Sequence, residues 1–160
     1  MSAIDVYMQV MDQNRMRTLA TLDEVAKQAD PAAVLGWRPG SGRAHIAWQL
    51  MHIGITEELF GTERLIGRPP AYADLVPRFK GGSTPDDNIP SVATIREVLE
   101  QSRVHLKAAL GQFSDNDLDT IPEWFKERGW NLARVLQVIC WHEGHHQGQA
   151  HITLNLWKNK

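Results

Sequence analysis

The last long helical stretch carries polar residues where a helix packs against its neighbours. Asn131 suits a helix N-cap, and from there to about Trp157 a stripe at helical spacing reads Val135, Val138, Ile139, His142, His146, Gln149, Thr153 and Leu156. Two histidines and a glutamine interrupt an otherwise apolar row. Burying them without partners is costly, so the fold must set polar groups or a metal ion opposite. His142 and His146 are four residues apart, so both imidazoles leave one face of the helix and can grip one ion.

A second helix, from about Arg43 to Ile66, supplies the facing side and is ended by Gly67, Pro69 and Pro70. At about 100° per residue, His45, Trp48, Gln49, His52, Ile55, Thr56 and Leu59 share one face, while Glu57 and Glu58 point elsewhere. His52 would complete a triad with His142 and His146. Three imidazoles leave coordination positions open, and open positions are where metal chemistry happens. No catalytic residue is assigned from spacing alone.

Four further residues are candidates for supporting roles. Gln149, one turn beyond His146, would orient a ligand or bond a metal-bound water, or is simply a polar interface residue. His145 lies about 60° from His142 and supports the site or an interface rather than ligating. His45, one heptad before His52, is a supporting group or substrate contact, or more plainly a helix-start histidine near solvent. Glu143 reads as an exposed helix residue or a weak supporting group. Cys140 points about 160° from His142 and reads as a buried structural thiol. His105 and His151 fall outside the site.

The remaining pattern is helical throughout. A first helix runs from Ser2 to about Ala29, with Ser2 and Asp5 as a capping pair. The chain breaks at Pro31 and again across residues 36–42. The stretch from Gly67 to Pro90 reads as a crossover or a lid over the site. A third helix begins near Ser91 or Thr94, with Thr94 and Glu97 spaced as a capping box. Its apolar face is Ile95, Val98, Leu99, Leu106, Leu110 and Phe113. Residues 114–120 read as a brief helix and 122–129 as a loop. The expected fold class is all-α: an up-down four-helix bundle with a long crossover between helices 2 and 3, forming a single domain over residues 1–160.

At 160 residues the chain suits one domain with a substantial core. Its net charge of −2 suggests neither nucleic acid nor an anionic membrane as partner. No apolar run approaches the length of a membrane span, and the first residues lack a signal-peptide profile. The one cysteine rules out an internal disulfide, so the expected compartment is the cytoplasm. Trp124, Phe125, Trp130 and Trp157 cluster near the ends of the last helix, as core or as a dimer surface.

His142-Glu143-Gly144-His145-His146 matches the H-E-x-x-H pattern of zinc metalloproteases, in which the glutamate is the general base. The context opposes that reading. No acidic residue follows His146 to act as a third ligand, Gly148 and His151 each fall one position early for the extended motif, and no substrate-binding strand is visible.

Two segments give the chain a family resemblance. Ile46-Ala47-Trp48-Gln49-Leu50-Met51-His52-Ile53 is similar to the second-helix metal-histidine segment of the DinB-like (DinB/YfiT) family. Trp141-His142-Glu143-Gly144-His145-His146-Gln147-Gly148-Gln149 is similar to its fourth-helix H-x-x-H-H-x-G-Q signature. The resemblance puts the family's ligands on His52, His142 and His146, the residues that spacing selects. It implies a divalent metal, zinc or nickel foremost, although three imidazoles suit copper and iron as well.

Relatives in that family include mycothiol-dependent maleylpyruvate isomerase and bacillithiol S-transferases. The resemblance therefore implies a metal-dependent transferase that activates a low-molecular-weight thiol against a small-molecule electrophile. The alternatives are a metal-dependent hydrolase using a bound water and a non-enzymatic, stress-related metal-binding module. A homodimer is expected, as is common in the family. Arg38 and Arg43 would recognise a carboxylate on the thiol, or are ordinary solvated charge. Gly148 would let a neighbouring helix approach closely, since a mid-helix glycine otherwise costs about 1 kcal/mol.

Overall fold

The protein is described here by a computed structural model covering all 160 residues. It is all-helical, with no strand. Four long helices dominate: α1 (Ala3–Ala26), α3 (Ile46–Leu59), α5 (Val92–Leu110) and α6 (Leu132–Lys158). Short α2 (Pro31–Gly36) and α4 (Val76–Phe79) lie in the connections, and two 3₁₀ turns, Asp115–Asp117 and Glu123–Arg128, link α5 to α6.

The local chemistry explains the boundaries. Ser2 and Asp5 form a capping box, each side chain accepting from the other's backbone N–H. α1 stops at Ala26 rather than Ala29, and Asp30 with Pro31 starts α2, because proline suits the first turn of a new helix. α3 starts at Ile46 rather than Arg43: His45 caps it, its Nδ1 accepting from Trp48 N–H at 3.0 Å. Ser91, not Thr94, caps α5, since Thr94 N–H donates to Ser91 Oγ at 3.1 Å. The stretch 122–129 is a 3₁₀ turn rather than an open loop.

Contacts along the helices fix their directions. Gly54 meets Val98 and Gly61 meets Leu106, so α3 and α5 run in the same sense. Asn14 reaches the Cys140 carbonyl and Gln147 reaches Thr21, so α1 and α6 also run together. Gln49 faces His146 while His52 faces His142, so α3 and α6 are antiparallel. The order along the chain is up, down, down, up. The long connection from Gly67 to Pro90 carries the chain back between two parallel helices, which a hairpin cannot do.

α3 is the central helix, and every one of its residues is buried. Its two acidic residues turn away from the His52 face, as expected, and each finds polar partners. Glu57 accepts from Arg15 of α1 and Arg103 of α5, at 3.0 and 2.9 Å. Both arginines also hold Glu143 of α6, at 2.7 Å each. One buried cluster of two arginines and two glutamates therefore ties all four long helices together. Burial works against the Arg103 charge, but Glu57, Glu143 and Asp12 outweigh it and leave its pKa raised. Glu58 accepts from the backbone of Ala71 at 2.8 Å and lies 2.6 Å from His105.

Two glycines allow this packing. A Cβ on Gly61 would sit 2.6 Å from the Leu106 backbone nitrogen, and one on Gly54 would sit 2.8 Å from Val98. Gly148 does not have the role expected of it. No atom lies within 4 Å of where its Cβ would be, so no helix approaches there.

Candidate metal centre

His52, His142 and His146 converge, their facing ring nitrogens all within 4.8 Å of one another. The closest pair is His52 Nε2 and His142 Nε2, 3.0 Å apart. The three rings lie edge to face or tilted, with centroids 4.5 to 4.8 Å apart. Nitrogens about 2.1 Å from a shared ion can be no more than about 4.2 Å apart, so a small inward movement would complete a ligand set.

The surroundings orient the rings. His52 Nδ1 lies 2.6 Å from the Phe79 carbonyl, which can only accept. That contact puts the proton on Nδ1 and leaves Nε2 free to ligate. His146 Nδ1 lies 2.6 Å from Gln49 Oε1, which leaves its Nε2 free in the same way. Gln49 in turn donates from Nε2 to Gln149 Oε1 at 2.8 Å. Such outer partners fix tautomer and ring angle at metal sites. Trp48 stacks on His52 at 4.5 Å with its indole 14° from parallel, closing that side.

The site favours neutral imidazoles, the form that binds metal. Burial, followed by the neighbouring His52 and His146, lowers the His142 pKa to about 2. Burial, then His52 and His145, lowers that of His146 to about 3. Burial also lowers His52, against the opposing pull of the Phe79 carbonyl.

The supporting candidates divide. Gln149 takes part, acting through Gln49. His145 does not enter the cluster; it lies exposed against Trp141, its Nε2 2.7 Å from Gln149. His45 starts its helix as the plainer reading had it, but it is not near solvent. It is 1 % exposed, with Nε2 2.8 Å from the Asp86 carbonyl, and so anchors the crossover. Glu143 is neither exposed nor a weak support. It is 3 % exposed and fully engaged by Arg15, Arg103 and Thr18. Arg38 is occupied as well, bonding Asp87 at 2.8 Å and the carbonyls of Pro85 and Asp86. Cys140 is half-buried rather than buried, and desolvation still raises its thiol pKa to about 11, in keeping with an unreactive thiol.

The crossover covers the site. α4 brings the Phe79 carbonyl onto His52, and Trp48 Nε1 donates to Ser83 Oγ at 3.2 Å. The other side opens into a cavity of about 510 Å³, with His142, Thr56 and Phe60 in its wall. Two contributors had no role assigned from the sequence. The Phe79 carbonyl is backbone and leaves no sequence signal. Gln49 could have been found, because it lies three residues before His52 on the same stripe.

A family model described as the DinB superfamily matches residues 11–150. Neither a curated protein nor a solved structure matches the chain. No helix is long and apolar enough to cross a membrane.

Proposed function

The chain belongs to the DinB superfamily, and from that premise we propose that it is a divalent-metal protein acting as a thiol-dependent transferase. His52, His142 and His146 are its ligands, and zinc or nickel is its ion. The observation that carries this reading is the cluster itself: three imidazole nitrogens within 4.8 Å, at the end of an open cavity. The donor chemistry fits, since neutral imidazoles suit a borderline divalent ion.

A divalent ion held by His52, His142 and His146 would supply a Lewis-acidic open side able to lower the pKa of a thiol. The rest falls to this chain's side chains. The Phe79 carbonyl and Gln49 hold the protons of His52 and His146 on Nδ1, keeping each Nε2 directed inward. Trp48 and the crossover exclude water from one side. The cavity beside His142 admits the second substrate. Hydrolysis is the weaker reading, because Glu143, the base that an H-E-x-x-H site would use, is held by Arg15 and Arg103.

The same reading takes the four long helices as one four-helix bundle and one domain, working as a cytoplasmic homodimer. Light scattering giving the mass of one 18.1 kDa chain would remove the dimer. The decisive test is elemental analysis of protein purified without a tag, beside His142→Ala. About one ion per chain, lost in the variant, is expected, followed by metal-dependent turnover in a panel of bacterial thiols and electrophiles. No metal even after zinc or nickel is added, or no turnover across the panel, would defeat the proposal.

A further inference from the structure

The cavity that opens beside His142 carries a net positive charge. Arg64, Lys80 and Arg128 stand in its wall, against one carboxylate, Glu63. None of the three cations enters any of the molecule's salt bridges. Arg64 Nε is buried with no hydrogen-bond partner, and no other buried side-chain nitrogen or oxygen is left so. Leaving a buried charged donor unpaired is expensive, and native structures rarely tolerate it without a reason.

The backbone puts Arg64 there. α3 ends in a π turn, Phe60–Arg64, and π turns concentrate at functional positions. Gly61 within it presses on the Leu106 backbone. The Arg64 guanidinium lies 4.7 Å from the centre of the Phe60 ring. Arg128 ends the 3₁₀ turn and sits 5.2 Å from the centre of the Trp130 ring. Burial lowers the Arg64 pKa and Arg128 lowers it further, while Glu63 opposes them. Like charges drawn together on aromatic faces, with a fork of donors left free, form a receptor for an oxyanion.

We propose that Arg64, Lys80 and Arg128 bind the carboxylate of a small anionic substrate, whose apolar body lies against Trp124 and Trp130 and whose reactive end reaches the metal centre at His142. The placement of the reactive end rests on the metal-site reading; the carboxylate pocket does not. Arg38, one of the two arginines the sequence offered either for a carboxylate on the thiol or as ordinary solvated charge, is bound to the crossover instead.

The test is calorimetric titration of the purified full-length protein with benzoate and with benzamide, which matches its shape but is neutral. Benzoate is expected to bind about tenfold tighter or better, as a charged hydrogen bond allows. Arg64→Gln should remove that preference, and raised salt should weaken it. Because Arg64 packs on Phe60, the exposed-side variant Arg128→Gln, checked by thermal melting, provides a second reading and should reduce the preference as well. Equal binding of the two probes, no saturable benzoate binding, or a preference unchanged in both variants would overturn the proposal.

Mercaptoacetate, which carries both thiol and carboxylate, identifies the source of the anion. Binding lost in Arg64→Gln and in His142→Ala places the carboxylate on the thiol partner. Loss in Arg64→Gln alone places it on the other substrate, and loss in His142→Ala alone counts against the pocket. If the protein holds no metal yet still prefers benzoate, the metal reading fails and the pocket stands. A metal-loaded protein without the preference gives the reverse.

Discussion

Glu143 Oε1 accepts a hydrogen bond from Arg15 Nε at 2.7 Å, joining the middle of α6 to the middle of α1. The glutamate directly follows His142, where a zinc protease keeps its base, yet here its carboxylate completes an ion cluster. Glu143→Gln takes one negative charge from that cluster and leaves the two arginines with Glu57 as their one fully buried carboxylate, Asp12 reaching Arg103 from the surface side. Breaking a buried pair from one side costs about 3 to 5 kcal/mol. Urea denaturation should show a loss of that order, with metal content at wild-type level. A variant of undiminished stability and abolished turnover would instead make Glu143 a base.

Gln49 joins His146 to Gln149 and fixes the His146 tautomer. Gln49→Ala should therefore weaken metal affinity by about 10- to 100-fold, the range typical of outer partners. The helix should survive, because alanine is a good helix former. Competition with a chelator of known affinity measures the change. His145→Ala removes only an edge contact to His146 and the outer partner of Gln149, and should leave affinity within a few-fold. A larger effect at His145 than at Gln49 would reverse the assignment of roles.

Much of this site was legible because histidine on an apolar stripe is costly, and so stands out. His142, His146 and His52 could be placed by periodicity alone. The caps at Ser2 and Asn131 follow from local chemistry and were equally readable. The ion cluster was not. Arg15, Glu57, Arg103 and Glu143 are far apart in the chain, and each alone resembles ordinary surface charge. Periodicity turned Glu57 away from the metal face without showing that the far side was also buried. Gly148 misled for a related reason: glycine in mid-helix signals a close approach, but only Gly54 and Gly61 make one.

That contrast gives a paired prediction. Gly61→Ala would drive a methyl group to 2.6 Å from the Leu106 backbone, which cannot yield as a side chain can. Overpacking of this kind costs about 1 to 3 kcal/mol, and here it also displaces the π turn that carries Arg64. Gly148→Ala meets nothing within 4 Å and should stabilise α6 by up to about 1 kcal/mol. Thermal melts of the two variants should move in opposite directions. Destabilisation by Gly148→Ala would mean that something packs on α6 there, a partner chain being the first candidate.

The histidine cluster also bears on the acid limit of stability. His142 and His146 titrate at about 2 and about 3 in the folded protein, with burial the main cause, against about 6.5 when unfolded. The folded values are the lower ones, so the unfolded chain binds protons first as pH falls. Their contribution is complete above about pH 6.5 and erodes below it, towards the folded values. A bound ion acts in the same direction, because it too requires neutral rings. Between about pH 5 and 6.5 most carboxylates are still ionised, so loss of stability there belongs chiefly to histidine. Denaturation free energies measured across that window should fall with acidity in the wild type, and less steeply in His142→Asn. Identical slopes in the two proteins would show that His142 is not held neutral by its surroundings.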